Sequence, residues 1–250
     1  MISFENVTKS FGKREILKGV NLEIERGKTT VIFGVSGGGK STIIKHIVGL
    51  LKPDNGIITV DGVRVDNADE TTLRAVRTKV GFLFQSGALF DSMNISENVA
   101  FPMREHQKLT PKELEYKIDE KLTMVGLDPK IVKSLYPEEL SGGMRKRVGL
   151  ARTLALEPEV ILYDEPTSGL DPVTSDFITQ MINGLRNDIG MTSVLISHDI
   201  AESFKAGDNY AMLFDGVIVE VGDKEAFRNS SNAVVQQFIH ASAEWPIAFH

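Results

Sequence analysis

Gly34-Val35-Ser36-Gly37-Gly38-Gly39-Lys40-Ser41 has the spacing of a phosphate-cradling loop: glycine, four residues, then Gly-Lys-Ser. Glycines let successive backbone N–H groups turn inward around phosphate oxygens, and the N-terminus of a following helix adds partial positive charge. Lys40 has the reach and charge for β- and γ-phosphates, and the Ser41 hydroxyl suits Mg2+. Thr42 completes the expected nucleotide-binding set as the next residue. The flanks agree. Thr29-Thr30-Val31-Ile32-Phe33 is a β-branched and aromatic run that predicts a buried strand, and Thr42 to Leu50 predicts a helix ending near Gly49.

A second apolar run, Glu159 to Tyr163, ends in Asp164-Glu165. Ligands bind at the carboxyl ends of strands in open α/β sheets, so these acids belong beside the glycine loop. Asp164 is suited to hold Mg2+ through its waters. Glu165 is suited to accept a proton from an attacking water. Gln85 and His198 also follow apolar runs and face the same end. A glutamine there orients water and touches the metal, and a histidine bonds the γ-phosphate. The expected catalytic set is Glu165, His198 and Gln85. The expected metal set is Ser41, Gln85 and Asp164.

Leu140-Ser141-Gly142-Gly143-Met144 then opens a helix with two glycines behind a serine cap. Paired glycines weaken a helix start unless something approaches the backbone closely. Ser141, Gly142 and Gly143 therefore form a second anion-suited terminus, far along the chain from Ser41. A twofold dimer reconciles the two. Each glycine loop bears ATP, and the partner's Ser141–Gly143 closes over its γ-phosphate.

Other elements position these groups. Alternating runs at Ser3–Val7 and Gly19–Ile24 predict strands around a turn at Lys9–Lys13. Phe11 at that turn reads either as a platform for stacking adenine or as a ring folded back on the sheet. Asp61-Gly62 between Ile57–Val60 and Val63–Val65 predicts a hairpin. Residues 70–78 predict a helix and Lys79–Phe84 a core strand. From Ser86 to about Pro158 helical patterns replace strands. Within that segment Thr110-Pro111 starts a helix that runs to about Val125 and stops at Gly126. Ala88, Leu89, Phe90 and Met93 begin the helical segment, either as its core or as the wall of a groove for a partner's helix. Strands return at Glu159–Tyr163 and Thr192–Ser197, with a helix from near Pro172 between them. Beyond the polar break Asn229–Asn232, Val234, Val235, Phe238 and Ile239 share one face of a short helix. Trp245, Pro246, Ile247 and Phe249 are too apolar for a free terminus. They pack either on their own domain or on a second subunit or small accessory protein.

The chain has 250 residues, 42 % of them hydrophobic, which suits one large domain or one domain with an insert, and its strands, helices and glycine loop together predict an α/β fold with a mostly parallel sheet and helices on both faces. It carries 28 basic and 34 acidic residues, net −6, a balance that argues against a nucleic-acid partner. It has no cysteine, which excludes disulfides and thiolate metal sites. No signal peptide is visible, and Lys45, Asp164 or Asp215 interrupts each apolar stretch before membrane-spanning length. A cytoplasmic chain is expected, reaching a membrane only through a partner.

Gly34–Ser41, Gln85, Leu140–Met144, Val160–Glu165, Ser168-Gly169-Leu170-Asp171 and His198, in that order, resemble the motif set of ABC-transporter ATPases. These are Walker A, Q-loop, signature, Walker B, D-loop and H-switch. The resemblance implies the ABC ATPase fold: a P-loop NTPase core with an N-terminal antiparallel β-subdomain and a helical insert. It divides one domain into core (1–85 and 159–228), helical subdomain (86–158) and C-terminal tail (229–250). It implies ATP and Mg2+ as ligands, a homodimer with ATP at the interface, and integral-membrane permease subunits. Met144 departs from the glutamine of many members. A thioether makes no strong hydrogen bond, but the Ser141 and backbone contacts are untouched, so activity is expected to survive. Phe84–Phe90, Asn98–Pro102, Arg104-Glu105-His106 and the Leu-Ser-Gly-Gly-Met signature further resemble Mla/Mce-type phospholipid transporter ATPases of bacteria with an outer membrane. That resemblance implies a motor for phospholipid transport, peripheral on the inner membrane, with a lipid-binding protein as a further partner. Another substrate, such as amino acids, or a non-transport ABC ATPase are the alternative readings.

Overall fold

The computed structural model describes residues 1–240; Trp245 and Phe249, with the rest of 241–250, lie outside the described residues. Strands β1 (Ile2–Phe11) and β2 (Arg14–Ile24) form an antiparallel hairpin, and β3 (Thr29–Gly34) runs through the glycine loop into α1 (Lys40–Ile47). Next come β4 (Asn55–Val60) and β5 (Val63–Arg64). Asp61 (φ 51°) and Gly62 (φ 75°) join them, both left-handed, as a tight two-residue hairpin requires. Helix α2 (Glu70–Lys79) leads directly into β6 (Val80–Leu83).

Between β6 and β7 every described element is helical. α3 (Ile95–His106) starts at an Asn94–Glu97 capping box and α4 (Pro111–Met124) at a Thr110–Glu113 box with Pro111 in the first turn. α5 (Pro129–Val132) and α6 (Gly142–Thr153) follow. The core then resumes with β7 (Val160–Asp164), α7 (Pro172–Ile189), β8 (Thr192–Ile196), α8 (Ile200–Ala206), β9 (Asn209–Phe214) and β10 (Val217–Asp223). α9 (Lys224–Arg228) and α10 (Ala233–Ile239) close the described chain.

Two sheets result. One is antiparallel, in the order β2-β1-β4-β5; the other has the order β10-β9-β3-β8-β7-β6 and is parallel except for β9–β10. The strands of the larger sheet are apolar nearly throughout because both faces are covered. Side chains alternate across a strand. Val31, Phe33, Ile161, Tyr163 and Met212 therefore face a core shared with the helical segment, and Ile32, Val160, Leu162, Ile196 and Leu213 a core shared with the antiparallel sheet and α1.

Ala88, Leu89, Phe90 and Met93 open the helical segment as irregular backbone, since α3 begins only at Ile95. The fully buried side chain of Asn98 stabilises this irregular stretch. It accepts from Phe90 N–H and donates to the carbonyls of Phe90, Met93 and Asn94. Those bonds replace the ones a helix would supply.

Among the described residues no helix is long and apolar enough to cross a membrane.

His46 is buried on α1, its Nδ1–H donating to the Thr42 carbonyl at 2.6 Å. Burial pushes its pKa down, and that hydrogen bond partly opposes the shift. A group protonated less readily in the folded chain adds stability that is complete above its unfolded pKa, about 6.5 for histidine. The contribution is lost as pH falls through the depressed folded value. Unfolding free energy is therefore expected to fall more steeply between about pH 7 and about pH 5 for the wild type than for His46→Gln. Parallel slopes in urea titrations would assign the pH dependence to other groups.

Candidate active site

The glycine loop leaves β3 at Gly34, whose backbone (φ 155°) suits glycine alone; a Cβ there would lie 2.5 Å from the Leu213 carbonyl oxygen. Gly34→Ala is expected to cost about 2–4 kcal/mol, from backbone strain plus overpacking. A lowered urea midpoint at unchanged slope would show it, and a midpoint within error of the wild type would refute it.

Helix α1 begins at Gly39 (φ 104°) with no side-chain cap, so no side chain competes for the N–H groups of its first turn. Lys40 is 6 % exposed. Its ammonium turns back on the loop, donating to the carbonyls of Gly34 (2.8 Å) and Val35 (2.9 Å). Burial lowers its pKa, and the carboxylates of Glu165 and Asp164 partly restore it. Ser36 and Gly37 are exposed at the loop's outer edge.

The ends of three adjacent parallel strands supply the remaining groups. Ser41 Oγ donates to Asp164 Oδ1 at 2.9 Å, joining α1 to the end of β7. Burial raises the Asp164 pKa; the Ser41 hydrogen bond lowers it, and the neighbouring Glu165 adds to the rise. Glu165 stands at φ 51°, its N–H bonded to the Ile196 carbonyl of β8. Its Oε2 accepts from Gln85 Nε2 at 3.1 Å and lies 3.5 Å from His198 Nδ1. Gln85 Nε2 also reaches Ser168 Oγ at 3.3 Å. Gln85, Glu165 and His198 thus converge on one carboxylate oxygen.

These residues fit Mg2+ and a polyphosphate. Ser41 and Asp164 present two hard oxygens in contact, the donor type Mg2+ selects. The adjoining loop offers a buried ammonium and an uncapped helix start to phosphate oxygens.

Ser141 and its glycines stand apart from this cluster. Ser141 Oγ caps α6 by accepting from Met144 N–H at 3.2 Å. Among the described residues no hydrogen bond joins Ser141–Gly143 to Gly34–Thr42. Gly143 has a reason inside its own chain: a Cβ there would meet the Thr174 methyl at 2.6 Å. Gly142 has only Leu170 near it, at 3.9 Å. Phe11, at the end of β1, is 49 % exposed, with the Lys9 ammonium 5.6 Å from its ring centroid.

Sequence patterns missed two contacts made by α6. Lys146 reaches the carbonyls of Glu165 and Ser168, and Arg152 reaches that of Gly87. A basic run on a helix predicts a solvated face, and nothing in its spacing marked these two cations. Beside Gly87 a groove of about 340 Å3 is lined by Phe82, Phe84, Ala88, Phe90, Phe101 and Arg152. Of the four residues expected to form such a wall, Ala88 and Phe90 do so, and Leu89 packs on the core.

A family model described as "ABC transporter" matches residues 17–168. The chain is 42 % identical over 246 residues to the probable ribonucleotide transport ATP-binding protein Mkl of Mycobacterium leprae, covering 98 % of this chain and 70 % of that one. It is 39 % identical over 249 residues to the intermembrane phospholipid transport system ATP-binding protein MlaF of Escherichia coli K12, covering 100 % and 92 %. Among solved structures, the dimeric post-hydrolysis state of an ATP-binding cassette bound to ADP and Pi superposes with a TM-score of 0.83. That match has 34 % identity and covers 89 % of this chain and 98 % of that one.

Proposed function

The chain belongs to the ABC-transporter ATPases, and from that premise we propose that it is the ATP-hydrolysing subunit of a bacterial phospholipid transporter. The observation that carries the proposal is the near end-to-end match to MlaF, a phospholipid transport protein by name. Mkl, named for ribonucleotides, matches at similar identity over 98 % of this chain, so the choice between the two cargoes falls to the experiment below.

In this reading Gly34 to Thr42 hold the ATP phosphates, and Phe11 offers its exposed ring to the adenine. Ser41, Asp164 and Gln85 hold Mg2+, which when bound supplies positive charge to the phosphate oxygens. Glu165 takes the proton of the attacking water, Gln85 orients that water, and His198 donates to the terminal phosphate. Ser141, Gly142 and Gly143 act on the nucleotide of a second copy in a twofold dimer; their separation from the glycine loop within one chain supports action in trans. Residues 86–158 form the helical subdomain, 1–85 and 159–228 the core, and 229–250 the tail. The groove at Phe84, Phe90 and Phe101 receives a permease helix, which keeps the protein peripheral on the cytoplasmic face of the inner membrane. A lipid-binding protein and a small accessory protein complete the assembly.

The test is to purify the tagged chain from detergent-solubilised membranes, identify the permease that accompanies it, and extract what that permease carries. Phospholipid retained by a permease whose ATPase activity rises with added phospholipid supports the reading. A bound ribonucleotide or amino acid, with no response to phospholipid, would replace it.

A further inference from the structure

Lys146 lies in the basic stretch after the signature glycines, for which the proposed reading has no task. It is 6 % exposed, although Arg145 beside it is open to solvent. Lysine is buried this deeply only where partners compensate its desolvation. The partners here are two backbone carbonyls. Lys146 Nζ lies 3.3 Å from the Glu165 oxygen and 2.5 Å from the Ser168 oxygen.

Those carbonyls bracket the turn that presents Glu165. At φ 51° a glutamate occupies a sparsely populated conformation, which persists only where the surroundings fix it. The Glu165 N–H is tied to Ile196 O at 3.0 Å, and the turn is closed by Ser168 N–H on Glu165 O at 3.2 Å. The lysine adds a third backbone tie, and it comes from the helical segment. Burial lowers its pKa, and the charge of Glu165 partly opposes that.

We propose that Lys146 is a positioning residue for ATP hydrolysis: it holds the Glu165–Ser168 turn so that the Glu165 carboxylate stays aimed at Gln85 and His198. The role rests on the reading of Glu165 as general base. It has a consequence for the dimer. Ser141 caps the helix that carries Lys146, so a shift of α6 when Ser141 meets the partner's nucleotide reaches the Glu165–Ser168 turn of its own subunit.

The experiment compares kcat, KM for ATP, nucleotide affinity and melting temperature for the full-length wild type, Lys146→Met, Lys146→Arg and Glu165→Gln. Lys146→Met keeps the length and loses the charge. Its kcat is expected to fall between about tenfold and about a hundredfold, the effect of a displaced catalytic group, with KM and affinity within about twofold. Lys146→Arg, which can still donate to both carbonyls, is expected to recover most of the loss. A kcat for Lys146→Met near the wild type, a loss confined to KM, or an arginine variant no better than methionine would each overturn the role. Should Lys146→Met fail to fold, Lys146→Gln replaces it, with an intermediate kcat expected and a wild-type kcat overturning. Glu165→Gln separates the two claims. If it hydrolyses ATP like the wild type, the reading of the base fails; if it is inactive and Lys146→Met is not, only the positioning role fails.

Discussion

Lys40→Ala protein is expected to hydrolyse ATP about a thousandfold more slowly than the wild type, if it retains nucleotide at all. Lys40 is the one cation of the glycine loop, and it is already buried, so no solvent exposure dilutes its charge. Its ammonium rests on the Gly34 and Val35 carbonyls, at the mouth of a helix whose first turn no side chain caps. A polyphosphate placed there gains a full charge close at hand in a low-dielectric setting, where such an interaction is strongest. Alanine removes that charge and leaves two carbonyls without their donor, so some loss of stability accompanies the loss of activity. Melting temperature and a fluorescent-nucleotide titration separate the two effects. Hydrolysis at the wild-type rate by folded Lys40→Ala protein would remove this loop from the active site.

Glu165→Gln is expected to do the opposite to binding. Hydrolysis falls by between about a hundredfold and about ten-thousandfold, the worth of a positioned general base, while ATP still binds and the closed dimer accumulates. The substitution is nearly isosteric. An amide oxygen still accepts from Gln85 Nε2, so the contact across the site at 3.1 Å can survive. What disappears is the group able to take a proton from water, together with a negative charge that repels a polyphosphate. Size-exclusion chromatography with and without ATP reads the result as a shift to twice the mass. A monomer at high protein concentration, with ATP demonstrably bound, would speak against a shared dimer site.

The groups expected at the site were legible because each follows an apolar run. Strands covered on both faces read as continuous apolar segments, and their ends mark the edge where ligands bind. Gly34, Gln85, Asp164-Glu165 and His198 all sit within two residues of such an end. Capping made α4 equally readable, since Thr110, Pro111 and Glu113 determine its start locally. What stayed hidden depends on packing between distant parts. Nothing in the apolar run Ala88 to Met93 showed that the buried Asn98 would hold it as irregular backbone ahead of α3. Gly143 looked like a site for anion approach alone, and the Thr174 methyl supplies a second reason for it. Lys146 gave no sign of burial, because the turn that encloses it lies beyond the next strand.

The place of β3 in the sheet has a consequence for synthesis. It is flanked by β8 and β9, with Thr29 opposite Ser193 and Thr30 opposite Asn209. The strand that carries the glycine loop thus leaves the ribosome well before either of its neighbours. Contacts between such distant segments are slow to form and cannot be rewarded before the later one exists. A nascent chain halted before Thr192 has Gly34–Ser41 but neither flank of the strand beneath it. Nucleotide binding therefore waits on the synthesis of β8 and β9, and ATP added during translation would be captured only by chains extended beyond Phe214.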